Sequence, residues 1–358
     1  MKVSKKRAAA LLAAVCLAGM LSACGGQAEE PSSRQIFAMD TAMALTVYGT
    51  ESSAAVQAAE EELMRLEALL SRTSEDSPVT ALNRAGGRQT VVGEELTALL
   101  DAAGTYSRKT GGAFDPTIAP VVLAWGFTTG HNRVPAPEEV ASLLETVGME
   151  HVHLDGGTAW MDPETQMDLG GIGKGYASDR MAEIFRRYEI PRATAALGGN
   201  VLAWGTRPDG TPWRVGVQDP RSPEDSSALA CLLHLEDAFA VTSGGYQRHF
   251  ESEGQSYHHI IDPATGYPAQ SGLTSVTVVA DCRRDDAAGL PGNGTMCDAL
   301  STALFVMGEE KALDFWRTGG LEMELVLVTE DGRVVVTKGL AERFEEIEES
   351  GYRYEIVS

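Results

Sequence analysis

Hydrophobic spacing divides the chain into stretches of two periods. From 52 to 70, apolar residues return every three or four positions (Val56, Leu63, Leu66, Leu70), the stripe of an amphipathic helix. Residues 93–109 repeat that period and close on Gly111-Gly112, while 137–147 open with Pro137, Glu138 and Glu139, the chemistry of a helix start. Residues 174–187 and 295–307 predict two more helices, the second with Leu300, Leu304 and Met307 at helical spacing. Short apolar or alternating runs predict strands at 43–48, 151–154, 158–161, 193–197, 213–217, 228–235, 238–242, 273–280, 325–329 and 333–337. Glu330-Asp331-Gly332 joins the last two as a hairpin. Residues 257–268 predict another strand, ending in an Asp262-Pro263 turn; strict alternation would set His259 and Ile261 on one face and His258 and Ile260 on the other. Separate helices among antiparallel-looking strands predict an α+β fold, with mixed, antiparallel-rich sheets and flanking helices.

The N-terminus follows another pattern. Lys2, Lys5, Lys6 and Arg7 precede an apolar run at 8–21, which is too short to span a bilayer comfortably, and small residues then lead to Cys24. Residues 1–23 therefore read as a secretion signal. Leu21-Ser22-Ala23-Cys24 resembles a bacterial lipobox, which implies a diacylated Cys24; the alternative is an ordinary signal with an incidental cysteine. Residues 24–33, rich in Gly, Glu, Pro and Ser, read as a lipidated tether, leaving 34–358 as the folded domain. The expected location is a cell membrane, lipid-anchored and facing outside the cytoplasm, whether extracytoplasmic or periplasmic.

The formal net charge of −22 becomes −26 once those four basic residues are removed with the signal. This argues against nucleic acid as a partner, because phosphate contacts need clustered Lys and Arg. It also means that a phosphate-bearing substrate would need backbone amides or a bound cation in place of basic side chains. Cys231, Cys282 and Cys297 have no CxxC spacing, so a structural zinc site is not expected and a single disulfide stays open.

Asp298 and Thr302 stand one helical turn apart on one face, and oxygen ligands of that kind suit Mg2+ or Ca2+. Ordinary helix roles for the two are the alternative. Three glycine loops follow strand ends: Asp168-Leu169-Gly170-Gly171-Ile172-Gly173-Lys174-Gly175-Tyr176, Leu197-Gly198-Gly199-Asn200 and Ser243-Gly244-Gly245-Tyr246. The first runs into a helix whose amides, with Lys174, would favour a phosphate, yet it matches neither the Walker nor the dinucleotide fingerprint. Each loop alone could be a plain turn; together they suggest one crevice. One histidine of His258-His259 can move a proton near neutral pH or sit satisfied in the core.

Taken in order, Met39-Asp40-Thr41, Ala113-Phe114-Asp115-Pro116-Thr117, the three glycine loops, His259-Ile260-Ile261-Asp262-Pro263 with Thr265-Gly266, and Asp298 through Thr302 resemble the ApbE family of flavin transferases. The resemblance runs from about Phe37 to the C-terminal hairpin. It implies a Mg2+-dependent reaction that splits the FAD pyrophosphate, releases AMP and attaches FMN by a phosphoester to a threonine or serine of an acceptor protein. It implies metal ligands at Gly171 (carbonyl), Asp298 and Thr302, with Ser301 where some members carry a second Asp. It implies FAD contacts at Met39, Ala113, Phe114, Asp115, Asp168, Lys174 and Ile261, with His259 as the candidate base and Asp262 as a turn former. The implied partners are acceptor proteins of membrane redox complexes of the Rnf or sodium-pumping NADH:quinone reductase kind. The chain departs from the family pattern at Asp40, where glycine is usual, and at Thr73, where many members place a tyrosine. Two further readings stay open, an FAD pyrophosphatase giving FMN and AMP, and a flavin-binding lipoprotein without turnover.

Overall fold

The computed structural model describes residues 30–283 and 291–358; the expected signal, Cys24 and most of the tether lie outside them. Nine strands form one sheet in which chain order is also spatial order: β1 (Ser32–Ala38), β2 (Thr41–Tyr48), β3 (Arg192–Leu197), β4 (Asn200–Trp204), β5 (Ala238–Gly244), β6 (Leu273–Asp281), β7 (Glu324–Thr329), β8 (Arg333–Thr337) and β9 (Arg353–Val357). Neighbours are antiparallel except β8 and β9, which run parallel. β1 starts at Ser32, inside the stretch read as tether.

The two-residue period of the strands separates two cores. Phe239, Val241, Val276, Val278, Leu325 and Leu327 face a helical layer. Ala238, Ala240, Val279, Val326 and Val328 face a second layer, which includes Val217, Leu233 and Leu235 of a three-stranded sheet formed by Trp213–Gln218, Leu229–Leu235 and Phe344–Glu346. Four helices matter for the site: α1 (Ser52–Leu70), α2 (Glu94–Lys109), α3 (Gly173–Arg187) and α4 (Asn293–Met307). α1 buries Val56, Leu63, Leu66 and Leu70, the expected stripe, against β1, β2 and α3. α4 is buried on nearly every side between α3 and strands β5 and β6, as a helix apolar all round must be.

The hairpin tips of β1–β2 and β3–β4 lie at one end of the sheet, since Ala38 pairs with Thr41, Leu197 with Asn200 and Met43 with Leu197. Met39 and Asp40 both take positive φ (50° and 58°), a two-residue turn in which Asp40 holds the conformation that glycine adopts most easily. Gly198 and Gly199 form the next tip.

The single strand expected over 257–268 is not formed. Gln255–His258 pairs with His249–Ser252, and Ile261–Asp262 pairs separately with Tyr267–Pro268. The break falls where the pairing partner changes: the Arg248 carbonyl accepts the His259 N–H (3.0 Å) in register with the first ladder, and its Nδ1–H as well (3.2 Å), while the Ile260 carbonyl accepts the N–H of Ala269 (3.0 Å) in register with the second. Alternation across 258–261 is thereby lost. Asp262 forms the turn as expected, its Oδ1 accepting the Ala264 N–H at 2.9 Å. Cys231, Cys282 and Cys297 are free and buried, and burial pushes the Cys297 thiol well up, which fits packing rather than reactivity.

Candidate active site

α4 is so apolar that its polar residues stand out. Asp298 is 4% exposed, and its Oδ2 accepts the N–H of Gly175 at 2.8 Å, near the start of α3. No arginine or lysine among the described residues pairs with it. One turn on, Thr302 Oγ1 lies 3.2 Å from Ser243 Oγ at the end of β5. Gly171 comes to the same place: a Cβ there would stand 3.7 Å from Thr302 Oγ1 and 3.2 Å from the Phe114 ring. The expected set of Gly171, Asp298 and Thr302 is therefore drawn together by α4, the loop before α3 and the end of β5, with Phe114 against it. Ser301 is otherwise engaged, donating to the Asp298 carbonyl (2.9 Å) and bonding Ser243 Oγ (2.8 Å).

The glycine loop is tied down at both ends. The Asn83 side chain brackets Met167 through its N–H (2.7 Å) and carbonyl (2.9 Å), and Asp168 N–H donates to the Pro116 carbonyl at 2.8 Å. Asp168 Oδ1 then accepts the Gly170 N–H (2.8 Å), its Oδ2 faces Arg72 Nε at 3.5 Å, and Lys174 Nζ donates to the Gly170 carbonyl at 3.1 Å. Asp115 is buried beside this loop; its Oδ1 accepts from Thr117 N (2.9 Å) and Thr117 Oγ1 (2.5 Å), and burial holds its carboxyl above the usual range. Ala113 is partly buried next to Phe114.

Across the sheet end, a Cβ at Gly198 would meet Thr41 Oγ1 at 3.0 Å, and one at Gly199 would meet the Thr242 carbonyl at 2.7 Å. The Gly198-Gly199 tip thus packs closely on the Thr41 side chain on one side and the Thr242 carbonyl on the other. Arg248 pairs with Asp40 at 2.7 Å, joining the Met39-Asp40 tip to the segment that carries His259. His259 is partly buried. Because its Nδ1–H donates to the Arg248 carbonyl, Nε2 is left as a free acceptor. Burial, then the charges of Arg248 and Lys174, hold this imidazole neutral, pulling it down to about 3. His258 is the structural member of the pair, with Nε2 bonded to the Ala269 carbonyl at 3.0 Å and its ring edge-on to Phe305. Ile261 packs with Val121 and Trp125, so its side chain belongs to a core rather than to a ligand surface.

A hard divalent cation fits this donor set. Asp298 is a buried carboxylate with no basic partner among the described residues, Thr302 stands one turn further along α4, and Gly171 packs against Thr302. No group of three or more His, Cys, Asp or Glu suited to a metal occurs among the described residues, so Asp298 would be the one carboxylate in such a set. A surface cavity of about 530 Å3, lined by Ser271, Glu309 and Lys311 among others, lies at the far end of α4 and contains none of these residues.

The ApbE family model matches residues 39–327, from the β1–β2 hairpin tip into β7. The chain belongs to the ApbE family. Among curated proteins it is similar to the FAD:protein FMN transferases of Treponema pallidum (34% identical, covering 92% of this chain and 93% of that one) and Haemophilus influenzae (30%, 80% and 82%). Among solved structures it resembles the ApbE protein of Thermotoga maritima (TM-score 0.74, 34% identical, 89% of this chain and 97% of that one) and the flavinyl transferase ApbE of Pseudomonas stutzeri in its apo form (TM-score 0.74, 27%, 88% and 97%). The mixed sheets and flanking helices are thus those of an ApbE fold.

Three residues of this ApbE site were not singled out from the sequence. Ser243 bonds Thr302, Arg248 fixes the tautomer of His259 through its carbonyl, and Asp179 of α3 accepts three hydrogen bonds from the start of α4. Ser243 had already been read as the start of a glycine loop, whereas Asp179 carried no individual signal; the N-cap of α4 is Gly292, which has no side chain to cap the helix itself.

Proposed function

We propose that this enzyme transfers FMN from FAD to a threonine or serine hydroxyl of an acceptor protein, releasing AMP. The observation that carries the reading is that buried Asp298 and Thr302 stand one turn apart on α4 with Gly171 packed against Thr302, in a chain similar over most of its length to FAD:protein FMN transferases. Mg2+ bound by the Gly171 carbonyl, Asp298 and Thr302 would neutralise charge on the two phosphates of FAD. Met39, Ala113, Phe114, Asp115, Asp168, Lys174 and Ile261 surround the dinucleotide in this reading, the Ile261 contact coming from backbone.

The chemistry balances with one base. His259 Nε2 takes the proton from the acceptor hydroxyl as its oxygen forms a bond to the FMN phosphorus, and the bond from that phosphorus to the AMP oxygen breaks. The Arg248 carbonyl keeps the ring in the tautomer that accepts. Lys174 and the amides opening α3 supply positive potential that the acidic chain otherwise lacks. We place the enzyme outside the cytoplasm, held by a lipid on Cys24, with membrane redox complexes as acceptors; the succession of basic, apolar and small residues over 1–23, leading to Cys24, supports the anchor.

The test is the intact mass of an acceptor domain after incubation with the enzyme, FAD and Mg2+. An FMN-sized gain with matching AMP, abolished by Asp298→Ala, is expected. AMP with free FMN and an unmodified acceptor would make the enzyme a pyrophosphatase, and intact bound FAD would leave a binding protein.

A further inference from the structure

The first two turns of α3 lie against the first two turns of α4, and polar cross-links run both ways between them. From α4, Asp298 Oδ2 accepts the Gly175 N–H of α3 at 2.8 Å. From α3, Asp179 Oδ1 accepts the Gly294 N–H at 2.7 Å, and its Oδ2 accepts both the N–H (2.9 Å) and the Oγ1–H (2.5 Å) of Thr295. The helices touch here through backbone: a Cβ at Gly292 or Gly294 would lie 2.7 Å from Asp179 Oδ1, and one at Gly175 would lie 2.5 Å from the Asp298 Cβ. Asp179 is only 7% exposed.

A buried carboxylate is a costly way to satisfy helix amides, since a serine or asparagine caps about as well. What it adds is geometry. Two oxygens holding two successive amides and a hydroxyl fix both the rotation of α4 about its axis and its slide along α3. Asp298 follows one turn after Thr295, and Thr302 one turn after that, so any rotation released at Asp179 moves both relative to Gly171. The N-cap residue of α4 is Gly292, which has no side chain to cap the helix itself.

We propose that Asp179 is a positioning residue for cation binding, clamping the start of α4 so that Asp298 and Thr302 stay in register with the Gly171 carbonyl. This rests on the reading of those three as the cation ligands. Asp179 itself touches neither ligand nor substrate in this account.

The experiment uses the full chain with Mn2+ as probe, binding being read by electron paramagnetic resonance in the presence of ADP, alongside the Mg2+ concentration giving half-maximal AMP release. Asp179→Asn keeps the size of the side chain but cannot accept all three bonds; it is expected to weaken Mn2+ binding about tenfold or more, as loss of a group that orients a metal ligand does. The Mg2+ half-saturation should rise in parallel, the KM for FAD at saturating Mg2+ should hold, and excess Mg2+ should restore turnover. Thr295→Val removes one donor and leaves the carboxylate, so it reads the same clamp if Asp179→Asn fails to fold; a smaller shift in the same direction is expected. A folded Asp179→Asn, or Thr295→Val, with wild-type Mn2+ affinity would overturn the inference and reduce Asp179 to a stabilising cap. Wild-type chain that binds no Mn2+ would refute the cation site itself, a different failure from the variants matching a wild type that binds.

Discussion

The role assigned to His259 turns on which ring nitrogen is free. The Arg248 carbonyl takes Nδ1–H, so Nε2 is the acceptor, and replacing the ring with an amide of similar reach removes the base without emptying the space. His259→Gln is expected to lower FMN transfer by about 10²- to 10⁴-fold, the usual worth of a positioned base, while FAD binding measured by flavin fluorescence persists. The pH dependence follows from the direction of the shift. An ordinary histidine loses its basic form below about 6.5, whereas burial holds His259 neutral down to about 3, so the acid limb of kcat/KM should fall below pH 5. A limb near 6.5 would contradict this. The same shift links to stability: the unfolded chain gains this proton near 6.5 and the folded chain only near 3, so the stability contributed is full above 6.5 and is lost as pH falls through that window. Asp298 and Thr302 could be paired from their helical spacing. The environment of His259 could not, because its partner is a backbone carbonyl eleven positions back, and carbonyls leave no trace in side-chain pattern.

Elements whose pattern was one-sided and regular were legible, and those whose identity came from their neighbours were not. α1 spans residues 52–70, the bounds its stripe predicts, and β8 likewise spans 333–337. β1 was missed because only Ile36 and Ala38 of its residues are buried, and β4 because its five residues follow so closely on the Gly198-Gly199 turn. The helix Ala119–Trp125 was passed over although Pro120 in its first turn and Gly126 after it are ordinary start and stop signals. Of the two helices at the site, α3 was read as a phosphate-facing start, yet its glycine at 175 has another purpose: α4 crosses there against bare backbone. Gly175→Ala would set a Cβ against the Gly294 carbonyl and 2.5 Å from the Asp298 Cβ. It should destabilise the fold by about 1–3 kcal/mol, the usual cost of overpacking, and raise the Mg2+ requirement together with it. Thermal melting that matches wild type would place the two helices further apart than described.

For the whole molecule, antiparallel β1–β5 bring two hairpin tips and one strand end to the same end of the sheet, and α4 bonds that strand end through Ser301 and Thr302 to Ser243. The three glycine loops at strand ends were legible in the sequence, but not that Ser243 in one of them would bond the Ser301-Thr302 turn of α4. The overall charge of −22 sets the demand on the site. Arg72, Lys174 and Arg248 are each bonded to groups of the glycine loop or the β1–β2 tip, so under the proposed reaction chelation of divalent ions should abolish AMP release and markedly weaken FAD binding by equilibrium dialysis; FAD held equally well in chelator would contradict a cation at Asp298. The account as a whole stands on one event, attack by an acceptor hydroxyl, not water, on the FMN phosphorus. The direct measurement is to run the complete reaction in water enriched with oxygen-18 and weigh the products by mass spectrometry. Flavinylated acceptor and AMP that both carry no heavy oxygen are the expected result. Heavy oxygen in free FMN or in AMP would mean that water is the nucleophile and that the enzyme is not a transferase.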